Sequence, residues 1–461
     1  MENRGRGRLR GAAVLAALAA VAVTAAVWTG SSAASAKKSA DTNPFAHYGK
    51  ITLNVWSADN QDPGLEPVIK ALGASFSKKY PNVTIKTKFY SLTPYLKILK
   101  LSLASSKAPD VAEGNQGFGT DSLLVKAKLI VNMDPYVKKY GWDKYYPPSV
   151  MQQYRWTPDG KTYGKGSVWG VGQAGQSVGV FYNKALLKKY GGNPDAMPKT
   201  FDGFNKLLAT VRAKAPANVP VIELGNKDGY ESLHDYGMVQ GAYVTGQYMR
   251  DWIFHKPGST YLAPDNMKAL ALFAKWSKDN YFGNDYNSLI ENDAAAAFAK
   301  GKGVFYLGGD WQAQVIQTGL KDNVAFINMP PGPSGRHVAI GATSLPWHVS
   351  SKSKYPDVGA AFINWLVAGP DSAKLMYAQN QIPAISTATP PKANPYLKSL
   401  ADGWKQLSSE GGLTLFPDWA STNMFTLMGT EFQKMMAGRQ SSADTAKVIQ
   451  NEWTSFDKKL K

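Results

Sequence analysis

The 461-residue sequence contains no cysteine, and only five of its residues are histidine. The lack of cysteine excludes disulfide bonds, thiol nucleophiles and thiolate metal sites. No two of the histidines stand at the spacing of a metal-ligand pair, and the H-E-x-x-H and P-loop motifs are missing. These absences argue against an enzyme that depends on a thiol, a metal or a nucleotide. We therefore expect no cofactor and no bound metal.

The N-terminal residues have the pattern of an export signal. Four arginines between residues 4 and 10 precede an uncharged run of small and apolar residues from residue 11 to residue 28. Ala34-Ser35-Ala36 then offers a small-residue cleavage site. We predict a signal peptide over residues 1–36, with an uncleaved anchor as the alternative, and a linker over residues 37–47. The protein would then be secreted or associated with the cell surface.

Basic residues outnumber acidic ones, with 52 Lys and Arg against 34 Asp and Glu and a net charge of +18. The lysines occur as scattered pairs, such as Lys78-Lys79 and Lys188-Lys189, and form no long basic run. This dispersion argues against nucleic-acid binding, which concentrates positive charge in a patch or stripe. It favours solubility or attraction to an anionic surface, and it leaves a cationic protein that binds a cell-wall polyanion as an alternative.

Residues 51–90 have the pattern of a strand, a helix and a second strand. Apolar residues alternate with polar ones over residues 51–56, recur at helical spacing over residues 65–76, and return to a strand pattern over residues 83–90. This order predicts a βαβ unit with a parallel sheet, and hence an α/β fold. Ligands of open α/β sheets bind beyond the carboxyl ends of strands. The polar loops at residues 57–62 and 114–119 follow such strands and are candidate binding segments.

A glycine-rich segment at residues 167–184 separates two parts of the chain. Gly170, Gly172 and Gly175 match the G-x-G-x-x-G spacing of dinucleotide-binding proteins. That motif requires a preceding strand and a helix that opens on the last glycine, whereas a β-prone run follows here. The context favours a crossing between two lobes, because glycine tolerates the backbone changes that a hinge must absorb.

Several segments resemble the extracellular solute-binding proteins of sugar ABC importers, the maltose-binding-protein-like family. They are GVFYNK at residues 179–184, PKTF at residues 198–201, residues 296–311 with their end GGDW, NMPPGP at residues 328–333, and GRQS at residues 438–441. These segments follow the order of the family, and the resemblance spans about residues 48–456.

The resemblance implies a periplasmic-binding-protein type II fold, in which two doubly wound α/β lobes are joined by a hinge of several crossings. It implies lobe 1 at residues 48–170, lobe 2 at residues 171–339, a return to lobe 1 at residues 340–385 and a C-terminal part of lobe 2 at residues 386–461. It also implies a monomeric receptor without catalysis. Such a receptor binds a mono- or oligosaccharide in the interlobe cleft, closes about the hinge and delivers the sugar to ABC permease subunits. Relatives in Gram-positive bacteria usually carry an acylated cysteine, which this sequence lacks.

A sugar site needs aromatic side chains for the apolar ring faces and amides or carboxylates for the hydroxyl rims. Trp311 and Trp419 resemble the stacking aromatics of the family. The other candidates stand in the two polar loops, the glycine-rich crossing and the second half of the chain. They are Trp56, Asp59, Asn60, Gln61, Asn115, Gln116, Phe118, Gln173, Gln176, Tyr230, Glu231, Asp310 and Trp347. Each polar candidate also suits a turn or a cap, and each aromatic one suits a core.

A secreted carbohydrate-active hydrolase is a second alternative. A glycosidase needs two carboxyl groups on either side of the scissile bond. Glu223, Glu231 and Asp310 are candidates, but nothing in the sequence marks any two of them as a pair. The sequence therefore favours the sugar receptor.

Overall fold

The structure, a computed structural model, describes residues 43–58, 64–333, 335–385, 390–391 and 394–461. Residues Phe45–Lys461 form one unit. The predicted signal peptide lies outside the described residues, as does most of the predicted linker. Within the described ranges, none of the helices combines the length and the apolar character that crossing a membrane would require.

Strands and helices alternate along much of the chain. The strands are β1 (Ile51–Ser57), β2 (Val83–Phe89), β3 (Val111–Glu113), β4 (Arg155–Trp156), β5 (Ser167–Val168), β6 (Ala174–Asn183), β7 (Ile222–Glu223), β8 (Phe305–Gly309), β9 (Val324–Ile327), β10 (Ala339–Thr343), β11 (Trp347–Val349), β12 (Ile382–Pro383) and β13 (Leu413–Thr414). The helices are α1 (Leu65–Lys79), α2 (Leu92–Ala104), α3 (Asp121–Lys126), α4 (Asp134–Tyr140), α5 (Trp142–Tyr145), α6 (Pro148–Gln152), α7 (Lys184–Lys189), α8 (Phe201–Lys214), α9 (Glu231–Tyr243), α10 (Gly246–Ile253), α11 (Pro264–Lys278), α12 (Glu291–Ala299), α13 (Ala313–Leu320), α14 (Pro356–Ala368), α15 (Ser372–Ala378), α16 (Pro395–Ser409), α17 (Met424–Met436) and α18 (Ser442–Leu460).

The first sheet has the strand order β11-β3-β1-β2. β1 lies parallel to β2, with Ile51 opposite Val83, and parallel to β3, with Val55 opposite Val111. Alternate side chains of β1 are buried, starting from Ile51, because successive residues of a strand point to opposite faces. The predicted βαβ unit and parallel sheet are therefore confirmed.

The second sheet has the order β13-β10-β6-β8-β7, and β9 and β12 also pair with β6. β6 runs antiparallel to β8, β9, β10 and β12 along different parts of its length. Nearly all of its side chains are buried, which matches its central position in the sheet. This long strand is the β-prone run that the sequence places in the second half of the glycine-rich segment at residues 167–184.

Short segments connect the two sheets beside the start of β6. Val171 forms a bridge with Trp347 of the first sheet, three residues before β6 begins. β10 of the second sheet ends at Thr343, and β11 of the first sheet begins at Trp347. In β12, Ile382 pairs with Gly175 of β6. The chain therefore passes between the sheets where several extended segments lie side by side.

The glycines of the G-x-G-x-x-G spacing allow the segments that connect the two sheets to pack closely. A Cβ atom on Gly172 would lie 2.4 Å from the carbonyl oxygen of Ser344, and one on Gly170 would lie 2.7 Å from Nδ1 of His348. Neither position has room for a side chain. Because a strand follows these glycines, the spacing belongs to a sheet crossing and not to a dinucleotide site.

Apolar side chains form several buried clusters, and the largest extends from the second sheet to β3 of the first. Leu53 of β1, Phe76 of α1 and Phe362 of α14 are fully buried in the core of the first sheet. In the larger core, Phe432 of α17 packs against Tyr236 of α9 and Phe273 of α11, with ring centroids 5.1 Å and 6.0 Å apart. Aromatic packing therefore holds the helices of the second sheet together.

Candidate functional site

A cavity lies between the two sheets, beside the segments that connect them. Its volume is about 120 Å³, comparable with the roughly 150 Å³ apolar cavity that holds one benzene molecule. The cavity therefore has room for about one six-membered ring. It is lined by Ala58, Leu92, Asn115, Gln116, Gln176, Tyr230, His234, Glu291, Trp311, Thr343, Leu345, Phe416, Asp418, Trp419 and Phe425.

Both sheets and their connections contribute to this lining. Asn115 and Gln116 follow β3 of the first sheet, whereas Trp311 follows β8 of the second. Gln176 lies in β6, and Thr343 is the last residue of β10. A ligand in the cavity would contact both sheets at once, so its binding depends on how the two sheets face each other.

Aromatic rings form most of the wall that the second sheet contributes. The centroids of the Phe416 and Trp419 rings lie 5.0 Å apart. The Tyr230 ring stacks on Phe425, with centroids 5.7 Å apart and an angle of 28° between the planes. Because neighbouring rings support one another, this aromatic wall is in place before a ligand packs against it.

Glu291, the first residue of α12, contributes a buried carboxyl group to the lining. Its Oε1 accepts a hydrogen bond from Nε1 of Trp311 at 2.9 Å, and its Oε2 accepts one from Oη of Tyr230 at 3.3 Å. Burial raises the pKa of Glu291 to about 7, although the hydrogen bonds favour the charged form. The carboxyl group therefore orients two aromatic rings of the wall and changes its charge near neutral pH.

Two other titratable side chains line the cavity. Burial lowers the pKa of His234 to about 3, so the imidazole is neutral near neutral pH. Its ring meets Trp311 edge-on, with centroids 5.2 Å apart. Burial raises the pKa of Asp418 to about 7. Among the described lining residues, the groups that can carry charge near neutral pH are thus the carboxyls of Glu291 and Asp418.

Hydrogen bonds also fix polar groups of the lining after β3 and at the end of β10. Nε2 of Gln116 donates to the carbonyl oxygen of Ser344 at 3.2 Å and to Oε1 of Gln153 at 3.3 Å. The hydroxyl of Thr343 is hydrogen bonded to that of Tyr154. The polar part of the lining is therefore oriented by residues that do not themselves line the cavity.

Six residues predicted from the sequence line this cavity. They are Asn115, Gln116, Gln176, Tyr230, Trp311 and Trp419. Asp59, Asn60 and Gln61 lie outside the described residues. The assignment of these nine residues, six in the lining and three outside the described ranges, to a ligand site stays a prediction.

Three aromatic residues that the sequence predicts for the site lie elsewhere. Trp347 is fully buried in the core of the first sheet. Phe118 packs edge-on against Trp156 at 4.9 Å and is also buried. Trp56 lies half-buried against Tyr90. None of the three is among the residues that line the cavity.

Three predicted polar residues also lie outside the lining. Oε1 of Gln173 accepts a hydrogen bond from Nε1 of Trp347 at 3.1 Å, and Oδ2 of Asp310 accepts one from the backbone N–H of Ser177 at 3.1 Å. Glu231, the first residue of α9, is buried, and burial raises its pKa well above the ordinary value. These groups hold structural positions around the cavity.

The remaining lining residues were not predicted. Glu291 is the first residue of α12, and Asp418 precedes Trp419 in a Pro-Asp-Trp loop, so both resemble ordinary cap or turn residues. His234 lies within a helix and has no distinguishing local pattern. The others are Ala58, Leu92, Thr343, Leu345, Phe416 and Phe425.

Gly117 brings the loop after β3 against the aromatic wall. Its φ is +89°, and a Cβ atom there would lie 2.3 Å from Cβ of Trp419. We expect Gly117→Ala to displace Trp419 and to lower the free energy of unfolding by about 1–2 kcal/mol, measured by urea denaturation. Gly119→Ala is the matched control, because its Cβ would be 3.8 Å from the nearest atom. Equal losses in the two variants would contradict this role of Gly117.

Replacing Trp347 tests whether its side chain belongs to the core of the first sheet. Trp347→Phe removes the donor to Gln173 and part of a fully buried ring. We expect the free energy of unfolding to fall by about 1–2 kcal/mol, because Oε1 of Gln173 then stays buried without its donor. Trp56→Phe, at a half-buried position, is expected to change it by less than about 0.5 kcal/mol. A Trp347→Phe variant as stable as the parent in urea would place this side chain outside the core.

Comparison with known proteins extends these observations. The family described as bacterial extracellular solute-binding protein matches residues 58–368. The maltodextrin-binding protein MdxE of Bacillus subtilis (strain 168) is 26% identical over 372 residues, which cover 77% of this chain and 78% of the relative. A maltooligosaccharide ABC transporter solute-binding lipoprotein of Streptococcus pneumoniae serotype 4 is 26% identical over 234 residues, which cover 49% of this chain and 51% of the relative.

A solved structure shares the fold. A chitin oligosaccharide binding protein superposes with a TM-score of 0.76 at 18% identity, covering 89% of this chain and 99% of that protein. This likeness confirms the predicted periplasmic-binding-protein type of fold.

Proposed function

Because the chain belongs to the bacterial extracellular solute-binding proteins, we propose that it is the substrate-binding component of a carbohydrate ABC importer. The observation that carries this proposal is the aromatic cavity, whose lining comes from both sheets and from the segments that connect them. The relatives named for maltodextrin and maltooligosaccharides support a sugar as the ligand. The protein acts outside the cell, as its family does.

In this proposal the apolar face of a sugar ring packs on Trp311 and Trp419, and the hydroxyl rim bonds to Asn115, Gln116 and Gln176. The hinge of this proposal lies near the crossings predicted at residues 170, 340 and 385, although β10 keeps the residues up to Thr343 in the second sheet. Because the sugar contacts both lobes, it binds the closed form better and shifts the population towards that form. Permease subunits then recognise the closed form. The receptor works as a monomer and performs no chemistry on the sugar.

The structure does not favour the hydrolase alternative. Gly175, Ser177 and Gly179 match the G-x-S-x-G spacing of nucleophile elbows, in which the serine is exposed on a strand-to-helix turn. Ser177 instead lies within β6 and is fully buried. Neither the hydrolase nor the polyanion-binding alternative is supported by the family match or by the relatives.

Titration calorimetry against malto-, chito- and xylo-oligosaccharides, with the sugars analysed afterwards, tests this function. We expect saturable binding of one sugar that is recovered unaltered, together with a smaller radius of gyration in solution scattering as the cleft closes. Release of shorter sugars would favour the hydrolase. Binding without any change in the radius of gyration would contradict closure about the hinge.

A further inference from the structure

The charge of the cavity is opposite to the charge of the protein. The chain carries a net charge of +18, yet no lysine or arginine is among the described residues that line the cavity. Its ionisable groups near neutral pH are the carboxyls of Glu291 and Asp418. The interior of the site is therefore acidic within a basic protein.

Neighbouring side chains do not supply the missing positive charge. His234, whose Nδ1 lies 3.8 Å from Oε1 of Glu291, is buried and neutral. Asp228 adds negative charge that raises the pKa of Glu291. Glu231 and Asp235 of α9 are further acidic side chains of the same region, and burial raises their pKa well above the ordinary value, so they supply no positive charge either. In the part of the chain that the structure describes, no group of three or more acidic or histidine side chains could hold a metal ion.

Closure of the cleft over a ligand would be unfavourable for two carboxylates that have no positive partner. A carboxylate that loses contact with water needs a positive partner or must take up a proton. Burial raises the pKa of Glu291 and Asp418 to about 7. A neutral sugar would remove the remaining water without providing a counter-charge. A ligand with a protonated nitrogen would provide it.

The aromatic wall also favours a protonated nitrogen. Indole and phenol rings attract a cation through their negative faces, and the attraction grows when water is excluded. The indole of Trp311 and the phenol of Tyr230 both donate hydrogen bonds to Glu291, so two cation-attracting rings and a carboxyl share one corner of the cavity. A protonated amine in this corner would contact the carboxyl and the rings together.

We propose that the sugar bound here carries a basic nitrogen, which pairs with Glu291 and Asp418 inside the aromatic cavity. This inference rests on the proposed function and narrows its ligand to amino sugars or oligosaccharides that contain one. It excludes uronic acids and sugar phosphates, whose negative charge would meet two carboxyls.

Three trisaccharides that differ only at carbon 2 provide the test. They are the β-1,4-linked trimers of glucosamine, N-acetylglucosamine and glucose, which carry an amine, an acetamide and a hydroxyl. Maltotriose is added as a neutral sugar of another linkage. With the purified full chain in low salt near pH 7, we expect calorimetry to give a Kd for the amine at least about tenfold lower than for the others, because a charge-assisted pair is stronger than a neutral hydrogen bond.

Variants locate the effect in the cavity. Glu291→Gln keeps the size of the side chain but removes its charge, so it should abolish the tenfold preference for the amine over the neutral trimers. Asp418→Asn is a second, independent variant. Glu410→Gln is the matched control, because Glu410 pairs with His337 outside the lining, and it should retain the full preference.

The outcomes separate this inference from the proposed function. If the neutral or acetylated trimer, or maltotriose, binds as tightly as the amine, the inference is overturned and the sugar receptor stands. If none of the four sugars binds, the inference is overturned, and the wider panel that includes xylo-oligosaccharides decides the sugar-receptor function. A preference for the amine that survives in both variants would show that the nitrogen is recognised elsewhere, and it would overturn the assignment to Glu291 and Asp418. Should the variants fail to fold, the comparison of the four sugars on the parent protein still decides whether the amine is preferred.

Discussion

Replacing Trp311 with alanine is expected to weaken sugar binding by about 2–4 kcal/mol, which corresponds to roughly 30-fold to 1,000-fold in Kd. The change removes a ring from the cavity wall and also the N–H that donates to the buried carboxyl of Glu291 at 2.9 Å. Aromatic residues at the centre of a binding site commonly carry energies of this size. The measurement is titration calorimetry with the sugar that binds the parent protein.

Trp311→Phe separates the two contributions. Phenylalanine keeps a ring for stacking but cannot donate to Glu291, so we expect an intermediate loss of about 1–2 kcal/mol. Trp56→Phe is the control, because Trp56 lies outside the lining, and its affinity should equal that of the parent. If Trp311→Ala kept full affinity and lost only stability, the ring would belong to the core and the proposed site would be contradicted.

Much of the first sheet could be predicted because its signals are local. Leu65, Val68, Leu72 and Phe76, which recur at helical spacing in the sequence, are all buried in α1. The strands on either side of this helix are long enough, at seven residues each, for their patterns to be recognised. The periodicity of apolar residues indicates which side of a helix or strand is buried. It is informative here because each of these elements packs against one sheet.

Several of the lining residues predicted from the sequence follow the end of a strand. Asn115 and Gln116 after β3, and Trp311 after β8, line the cavity because the ends of strands from both sheets meet there. Trp347 also stands on a strand, but β11 has only three residues, too few for alternation to show which side faces the core. The direction in which the Trp347 side chain points depends on the neighbouring strands, and the sequence does not reveal which strands these are.

The charged groups of the cavity depend on long-range contacts. Glu291 meets Tyr230, 61 residues earlier, and Trp311, 20 residues later. Nothing local to Glu291 distinguishes it from other acidic residues at helix starts, which are common because the helix dipole favours them. Only the packing of α12 beside β8 and α9 brings its carboxyl group into the cavity, so the acidic character of the site is a property of the fold.

Breaking the buried pair between Asp121 and His348 is expected to lower the free energy of unfolding by about 3–5 kcal/mol. Nε2 of His348 lies 3.1 Å from Oδ1 of Asp121, and Nδ1 lies 2.8 Å from the carbonyl oxygen of Trp169. Both oxygens accept hydrogen bonds, so an imidazole that donates to both is protonated. Asp121→Ala would leave this charge buried without its partner. Urea denaturation near pH 6 measures the loss.

The same pair predicts that stability falls as pH rises. Burial opposes the charge on His348, but the carboxylate of Asp121 and the carbonyl of Trp169 outweigh it and raise the pKa of His348. Burial also raises the pKa of Asp121, against the opposing effect of His348. Both groups therefore hold protons more tightly in the folded protein. The contribution of His348 is fully present below its unfolded pKa of about 6.5 and is lost as pH rises through its higher folded pKa.

Two controls isolate the buried pair from other charges. Glu66→Gln breaks an exposed pair with Lys70 and should change the free energy of unfolding by less than about 1 kcal/mol. His348→Gln should remove the part of the pH dependence that the imidazole contributes above pH 6.5. Glu291 and Asp418 also change charge near neutral pH, so the informative quantity is the difference in slope between the parent and this variant. Equal slopes would mean that His348 is neutral in the folded protein, and the large loss expected for Asp121→Ala would then shrink to that of an ordinary buried hydrogen bond, about 1 kcal/mol.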